Sequence, residues 1–576
     1  MAARGWDQLD VLLVSGDAYA DHPAFGVPLL GRVLEAAGYR VGIVAQPRWD
    51  APTDIQCLGR PRLFCGISAG GLDSMLAHYT AFRKKRSDDA YTPGGLAGRR
   101  PNRACIVYSN LVRQAFPGLP VILGGIEASL RRAVHYDFWS DSVRRSLLLD
   151  AKADLILYGM AESTLVEAAR RLQGGASLEG LPGAAYIGAR PAEAELLPAY
   201  EDILARPAAL LEATMAIERQ VHQGTAVLAQ AHGNRFVILT PPPLAASGCA
   251  DLERIAALPF TRDPHPDYSE RIPGLDMVRW SVTAVRGCGG GCSFCSLALH
   301  QGRRIRSRSQ ASVLQEIRAM VRHPEWSGAV TDIGGPTANF WGAACAGDPS
   351  RCTRPSCLSP GICPHLKPRQ REYLGLLRAA RAVPGVKHVR VASGVRHDLA
   401  LQDAEFARGL TAEFVGGQLK LAPEHCVDQV LTLMRKSDFS LFERFLEVFG
   451  RVSAGEAREQ YVVPYVMSAF PGCTMDDMKQ LAAWFRAQGW QPQQVQCFVP
   501  TPGTVATAMF YAGCDPACRP IHVARTDRER EDQHSALLPG RHLPPGQVAG
   551  APPPPRPSPQ AGGRLRAGAR PRRSSR

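Results

Sequence analysis

Residues 281–309 read "SVTAVRGCGGGCSFCSLALHQGRRIRSRS". The stretch opens as a strand, "SVTAV", rich in β-branched residues, and then stops resembling any ordinary element. Cys288, Cys292 and Cys295 stand in the order Cys-x3-Cys-x2-Cys, with glycines filling the first gap. Glycine lets a backbone fold closely around an object on one side. A structural zinc site takes four ligands, usually as two separated pairs, and three thiols on one short loop fit it poorly. A 4Fe–4S cluster normally takes four thiolates, so three leave one iron open to a ligand from outside the protein. Cysteines that hold nothing are usually scattered and buried rather than gathered on a loop.

Working outward, the thiol loop follows the first of six strand candidates: "MVRWSVTAV", "GAVTDIGG", "KHVRVASG", "GQLKLAP", "QYVVPYVMS" and "QVQCFVP". Helices separate them. Ser312 and Gln315 have capping-box spacing at the start of one, with Val313, Leu314, Ile317, Met320 and Val321 as its apolar face and Pro324 as its stop. Another opens on Thr474 and two aspartates and closes on Gly489, which suits the helix dipole. Six consecutive strand–helix units predict a barrel or most of one, with its chemistry on the loops after the strands. Ser393 and Arg396 end the third strand, Lys420 and Glu424 the fourth.

The first 172 residues also alternate strands with helices. "LDVLLVSG", "YRVGIVAQ", "RLFCGISAG", "ACIVYSN", "LPVILGG" and "ADLILYG" read as strands, and "FGVPLLGRVLEAAG" as a helix stopped by Gly38. This pattern predicts a doubly wound parallel sheet. The polar stretch "FRKKRSDDAYTPGGLAGRRPNR" reads as a long surface excursion, in which Lys84, Lys85 and Arg86 form a solvated charge run. Residues 173–275 read as an irregular connector, 276–510 as the barrel, 511–540 as a C-terminal extension, and 541–576 as a disordered Pro/Gly/Arg tail.

The 576 residues carry a formal charge of +14. Eight arginines in the tail supply over half of it, so the body carries only about +6, modest for a nucleic-acid binder. No long apolar run reads as a membrane span, and the first residues lack a secretory layout. Sixteen cysteines clustered mid-chain then predict metal or redox use in a reducing cytoplasm.

With Phe294 before the last cysteine, the thiol motif resembles the radical S-adenosylmethionine superfamily. "DHPAFG", "GGIEASLRRAVHYDFWSD", "LPFTRDPHPDY", "DIGGPTANFWG", "SGVRHD", "LKLAPEH" and "FVPTPGTVATAMFY" extend this to a resemblance to the YgiQ family, from about residue 8 to about residue 538. The resemblance implies a 4Fe–4S cluster on Cys288, Cys292 and Cys295, S-adenosylmethionine at its open iron, and a 5′-deoxyadenosyl radical acting on an unassigned substrate. It also implies an electron donor of flavodoxin or ferredoxin type. Gly334 and Gly335 fall where the superfamily's Gly-Gly-Glu approaches S-adenosylmethionine. Ser393, Arg396, Lys420 and Glu424 stand at strand ends, where ligands are met, which of them touches adenosine or substrate being open, and Ser393 and Lys420 join the glycines as candidate cofactor contacts. Pro336 stands where its usual Gly-Gly-Glu has the glutamate. The competing readings are an RNA-modifying relative of methylthiotransferase type and a non-catalytic metal-binding protein.

A second set, Cys345, Cys352, Cys357 and Cys363, lies in a turn-rich insertion that a second metal or cluster could organise. Cys426 and Cys473 read as packing residues. The N-terminal half resembles cobalamin-binding domains, but Asp21, His22 and Gly26 do not give their Asp-x-His-x-x-Gly, so cobalamin is not expected. The resemblance breaks near "QHSALLPG", and a shifted reading frame in a high-GC gene would produce such a tail.

Overall fold

The computed structural model describes residues 1–243, 248–456 and 459–538. The tail expected from 541 lies outside the described residues. A nine-stranded sheet occupies the N-terminal half, built from β1 (Val11–Ser15), β2 (Val41–Ala45), β3 (Phe64–Ser68), β4 (Val121–Gly124), β5 (Leu155–Leu157), β6 (Ala184–Gly188), β7 (Glu195–Leu197), β8 (Leu228–His232) and β9 (Arg235–Leu239). Its order is β2-β1-β3-β4-β5-β6-β9-β8-β7. The first five strands are parallel. Every residue of β1 is buried, as a central strand covered on both faces requires, whereas β2 at the edge alternates.

Two expectations fail here. "ACIVYSN" is not a strand but the start of helix Ala104–Ala115, whose buried residues Ala104, Cys105, Tyr108, Leu111 and Val112 recur at helical spacing. Segment 173–275 is not irregular: it supplies β6 to β9, with β5–β6, β6–β9 and β8–β9 antiparallel, and helix Ala208–Gln223.

The expected surface excursion is also partly internal. Arg100 within it is fully buried, ion-paired to Asp89 at 2.9 Å and Asp17 at 3.0 Å, and donates to the Ala69 carbonyl at 2.8 Å. Asp17 follows β1 and Ala69 follows β3, so the arginine fills the point where the strand order reverses.

Six short strands follow at the expected places. β10 (Ser281–Thr283) pairs in parallel with β11 (Asp332–Gly334), and Ala329–Val330, just before β11, pairs with β12 (His388–Val389). β13 (Gln418–Glu424), β14 (Tyr461–Ser468) and β15 (Gln494–Cys497) form the remaining parallel set. The helix after β10 begins at Gln310, capped by Ser309 rather than Ser312. Ser312 instead accepts from Arg308, so the cap moves back three residues. Thr474 caps its helix as expected, with Asp477 completing the box.

The two halves share one core. Phe510, on helix Val505–Ala512 after β15, packs against Phe138 and Tyr136 of the N-terminal half. Arg530 in the C-terminal extension lies over Phe138 and donates to the Ala81 and Phe498 carbonyls. No helix among the described residues is long and apolar enough to cross a membrane.

Candidate active site

The thiol loop leaves the carboxyl end of β10 and is held by three distant backbones. The Cys288 amide donates to the Gly302 carbonyl at 3.1 Å, the Ser293 amide to Met434 at 3.1 Å, and the Ala506 amide to Ser293 at 2.9 Å. The Ser293 hydroxyl also donates to the Leu433 carbonyl at 2.7 Å. The loop is therefore a fixed turn and not a slack one.

Each glycine of the first gap faces something specific. A Cβ on Gly290 would sit 3.4 Å from the Cys288 sulfur, and one on Gly289 would meet Cys357 and Phe340. Gly291 has φ +59°, and a Cβ there would fall 2.2 Å from the Pro355 carbonyl oxygen. Only glycine takes that conformation at that approach without strain.

Cys288, Cys292 and Cys295 are all free, half-buried thiols. Burial, then the neighbouring Cys292 and Cys288, push the Cys295 thiol up to about 12. Burial and Cys292 also raise Cys288. Closely spaced thiols whose charged form burial and neighbours disfavour gain most from a cationic group that takes them as thiolates. One cation already faces them: Arg396 Nη1 lies 3.9 Å from the Cys292 sulfur. Its own charge is held by Asp398, with Nε to Oδ1 at 3.1 Å. Burial opposes ionisation of Asp398, but Arg396 outweighs it and holds the carboxyl well below the usual range. Thr337 Oγ1 is 3.8 Å from the Cys288 sulfur.

Glu424 closes this side. It ends β13 at φ +71°, just past a register shift after Leu421, and its carboxylate lies 3.7 Å from Lys436 Nζ. A non-glycine residue in that region carries strain, which proteins concentrate at functional sites. Burial raises its carboxyl, with Lys436 and Arg396 opposing.

The remaining expected residues are placed unequally. Gly334 and Gly335 end β11 in close packing: a Cβ on Gly334 would strike the Ser393 hydroxyl, and one on Gly335 the Val285 carbonyl. Ser393 turns to the buried Asp332, whose carboxylate also accepts from the Ala392 amide at 2.8 Å. Lys420 is exposed on β13, and Glu424 occupies the strand end in its stead. Asp332, Thr337, Asp398 and Lys436 were missed; only Asp398, two residues after Arg396 in "SGVRHD", carried a sequence signal.

The second cysteine set docks on the first. Ser356 Oγ donates to the Gly290 carbonyl at 2.5 Å, and the Cys357 amide to Gly289 at 2.8 Å. Arg303 reaches the Cys357 sulfur at 3.8 Å and the Arg354 carbonyl at 2.7 Å. Burial raises the Cys357 thiol; Arg303 lowers it, and Cys363 and Cys352 raise it further. Cys345 is exposed. Among the described residues no group of three or more His, Cys, Asp or Glu could hold a single metal ion. Cys473 is buried beside His425, while Cys426 is half-buried. Lys84 is exposed and pairs with Glu531 at 3.2 Å.

Residues 1–281 match the family model described as Radical SAM N-terminal. With the fold above, this defines an enzyme of the radical S-adenosylmethionine class. A UPF0313 protein of Geobacter sulfurreducens is 49% identical over 552 residues, covering 94% of this chain and 91% of the relative. Another, of Methanosarcina acetivorans, is 43% identical over 571 residues, covering 93% and 77%. The chain belongs to this UPF0313, or YgiQ, family. Among solved structures it is similar to the radical S-adenosylmethionine methyltransferase TsrM of Kitasatospora setae, with TM-score 0.49 and 14% identity, covering 86% of this chain and 73% of that one.

Proposed function

We propose that Cys288, Cys292 and Cys295 hold a 4Fe–4S cluster and that the chain binds S-adenosylmethionine beside it. The observation that carries this reading is the gathering of three half-buried, free thiols on a clamped loop at the carboxyl end of the first barrel strand, with Arg396 beside Cys292. Such a donor set would leave one coordination position open, and a reduced cluster held there would supply the electron for cleaving S-adenosylmethionine. In this proposal Arg396 offsets thiolate charge, Asp398 keeps it aimed, and the Gly291–Pro355 contact fixes the loop's path. Gly334 and Gly335 let the end of β11 pack directly on Ser393 and Val285, and Glu424 with Lys436 offers a polar pair beside Cys295 and Arg396.

In this reading His22 is not a lower cobalt ligand. His22 is buried, with Nδ1 accepting from the Ala24 amide at 3.0 Å and Nε2 lying 2.9 Å from Arg262 Nη1. Burial and then Arg262 hold its pKa well below the usual imidazole value. The crevice between β1 and β3, where such sheets take ligands, is filled by Arg100, Asp17 and Asp89. A Cβ on Gly70 there would stand 2.0 Å from Asp17.

Protein reconstituted with iron and sulfide without oxygen tests the proposal by iron content and by 5′-deoxyadenosine released on adding dithionite and S-adenosylmethionine. Ala at Cys288, Cys292 or Cys295 should remove both, and Ala at Cys426 or Cys473 neither. Wild-type iron content in the three single variants would refute the ligand assignment.

A further inference from the structure

Behind the thiol loop, between the end of β5 and residues 299–306, lie two adjoining cavities of about 50 and 40 Å³. Each has room for roughly three waters, the size of one oxyanion. Both are lined by Met160, Gln301 and Arg306; Arg304 lines the first and Arg286 the second. The walls therefore combine the carboxyl end of a parallel strand, the position at which such sheets meet ligands, with four guanidinium groups, Arg254 included, and the carboxylates of Glu162 and Asp251, the latter paired with Arg254.

The charges there are not balanced. Arg286 is paired with the buried Glu162 at 2.6 Å. Arg304 donates to the Gln223 carbonyl at 2.9 Å but meets no carboxylate among the described residues. Arg306 stands in the wall common to both cavities; its backbone pairs with Arg286, but its guanidinium makes no hydrogen bond or ion pair to any described residue. Burial, with Arg286 and Arg304 close by, pulls its pKa down, and Glu162 and Asp251 only partly oppose this. A half-buried guanidinium without an acceptor is costly, and its planar fork matches the oxygens of phosphate or carboxylate.

We propose that this groove binds the phosphate or carboxylate end of a small molecule, with Arg306 as the principal contact and Arg304 as the second. Tyr158 and Met160 give the rest of such a ligand an apolar surface. The site does not depend on the cluster assignment, although it touches the same segment. Gln301 accepts from the Gly287 amide at 3.2 Å, and Gly302 accepts from the Cys288 amide.

Calorimetric titration of full-length, cluster-loaded protein with inorganic phosphate, pyrophosphate and succinate, at constant ionic strength, tests this. Saturable one-to-one binding of at least one of them is expected. Preference for the phosphates would identify a phosphorylated ligand, and preference for succinate a carboxylated one. Arg306→Gln should weaken binding at least tenfold and Arg304→Gln about fivefold, while Arg528→Gln on the exposed C-terminal helix should leave it unchanged. If Arg306→Gln does not fold, as read from its thermal transition, Arg304→Gln decides alone. Absence of saturable binding, or equal binding by wild type and Arg304→Gln, overturns the proposal.

Discussion

Arg396 stands between Asp398 and Cys292, with one edge of its guanidinium on the carboxylate and the other 3.9 Å from the sulfur. All three belong to the end of a barrel strand or the loop it faces, so one buried cation lies against a carboxylate and a sulfur at once.

Arg396→Met should therefore be severe, because it strands a buried carboxylate. Breaking a buried pair from one side costs about 3–5 kcal/mol. Adding Asp398→Leu should restore most of the stability without restoring iron content, since Cys292 still lacks its cation. Urea midpoints of the single and double variants measure the first effect and iron assays the second. Equal midpoints for both would show that the pair is not the source.

Gly291→Ala should fail where Gly361→Ala succeeds. The first adds a Cβ at φ +59° against the Pro355 carbonyl, whereas a Cβ on Gly361 would meet nothing within 4 Å. Cluster absorbance after reconstitution should be lost in the first and kept in the second. Retained absorbance in Gly291→Ala would mean that the insertion does not shape the loop.

Protein from cells grown with excess cobalamin should show no stoichiometric corrinoid spectrum, and His22→Ala should lower thermal stability without changing that result. A bound corrinoid released by His22→Ala would contradict the structural role given to this histidine.

Acid should loosen the fold between about pH 6.5 and 4. Burial holds His222, His232, His300 and His425 at about 4 and His397 at about 3. These folded values lie below the unfolded value, so the unfolded chain takes up protons that the native one refuses. Their contribution is intact above about 6.5 and is lost as pH falls toward 4, by about 1.4 kcal/mol per pH unit for each proton. His232, stacked on Tyr200, has neither ring nitrogen bonded among the described residues. His232→Phe should keep the stack and gain on the order of 1–2 kcal/mol at pH 5. An unchanged pH profile of the thermal midpoint would refute this.

The barrel strands were legible because each is an apolar run bounded by glycine or proline, and the thiol loop because its spacing is local. "ACIVYSN" misled because a seven-residue apolar run has no readable period; its helical repeat shows only when Leu111 and Val112 are included. The strands of 173–275 were hidden by prolines that lie in the turns between them. Nothing local announced that Arg100 would meet Asp17, since such a pair is made by folding and not by spacing. Lys420 and Glu424 were both read at the end of their strand; Glu424 stands there, after a bulge, while Lys420 lies within β13 and is exposed.

The clamp on the thiol loop has a consequence for biosynthesis. Ser293 is bonded to the Ala506 backbone, roughly 200 residues later in the chain. At about 5–20 residues per second, the last clasp of the loop leaves the ribosome some 10 to 40 seconds after the thiols do. During that interval three cysteines meant to be enclosed are open to assembly factors and to oxygen alike. On the proposed ligand assignment, the order of synthesis sets a period in which iron and sulfide can reach the thiols before the door shuts.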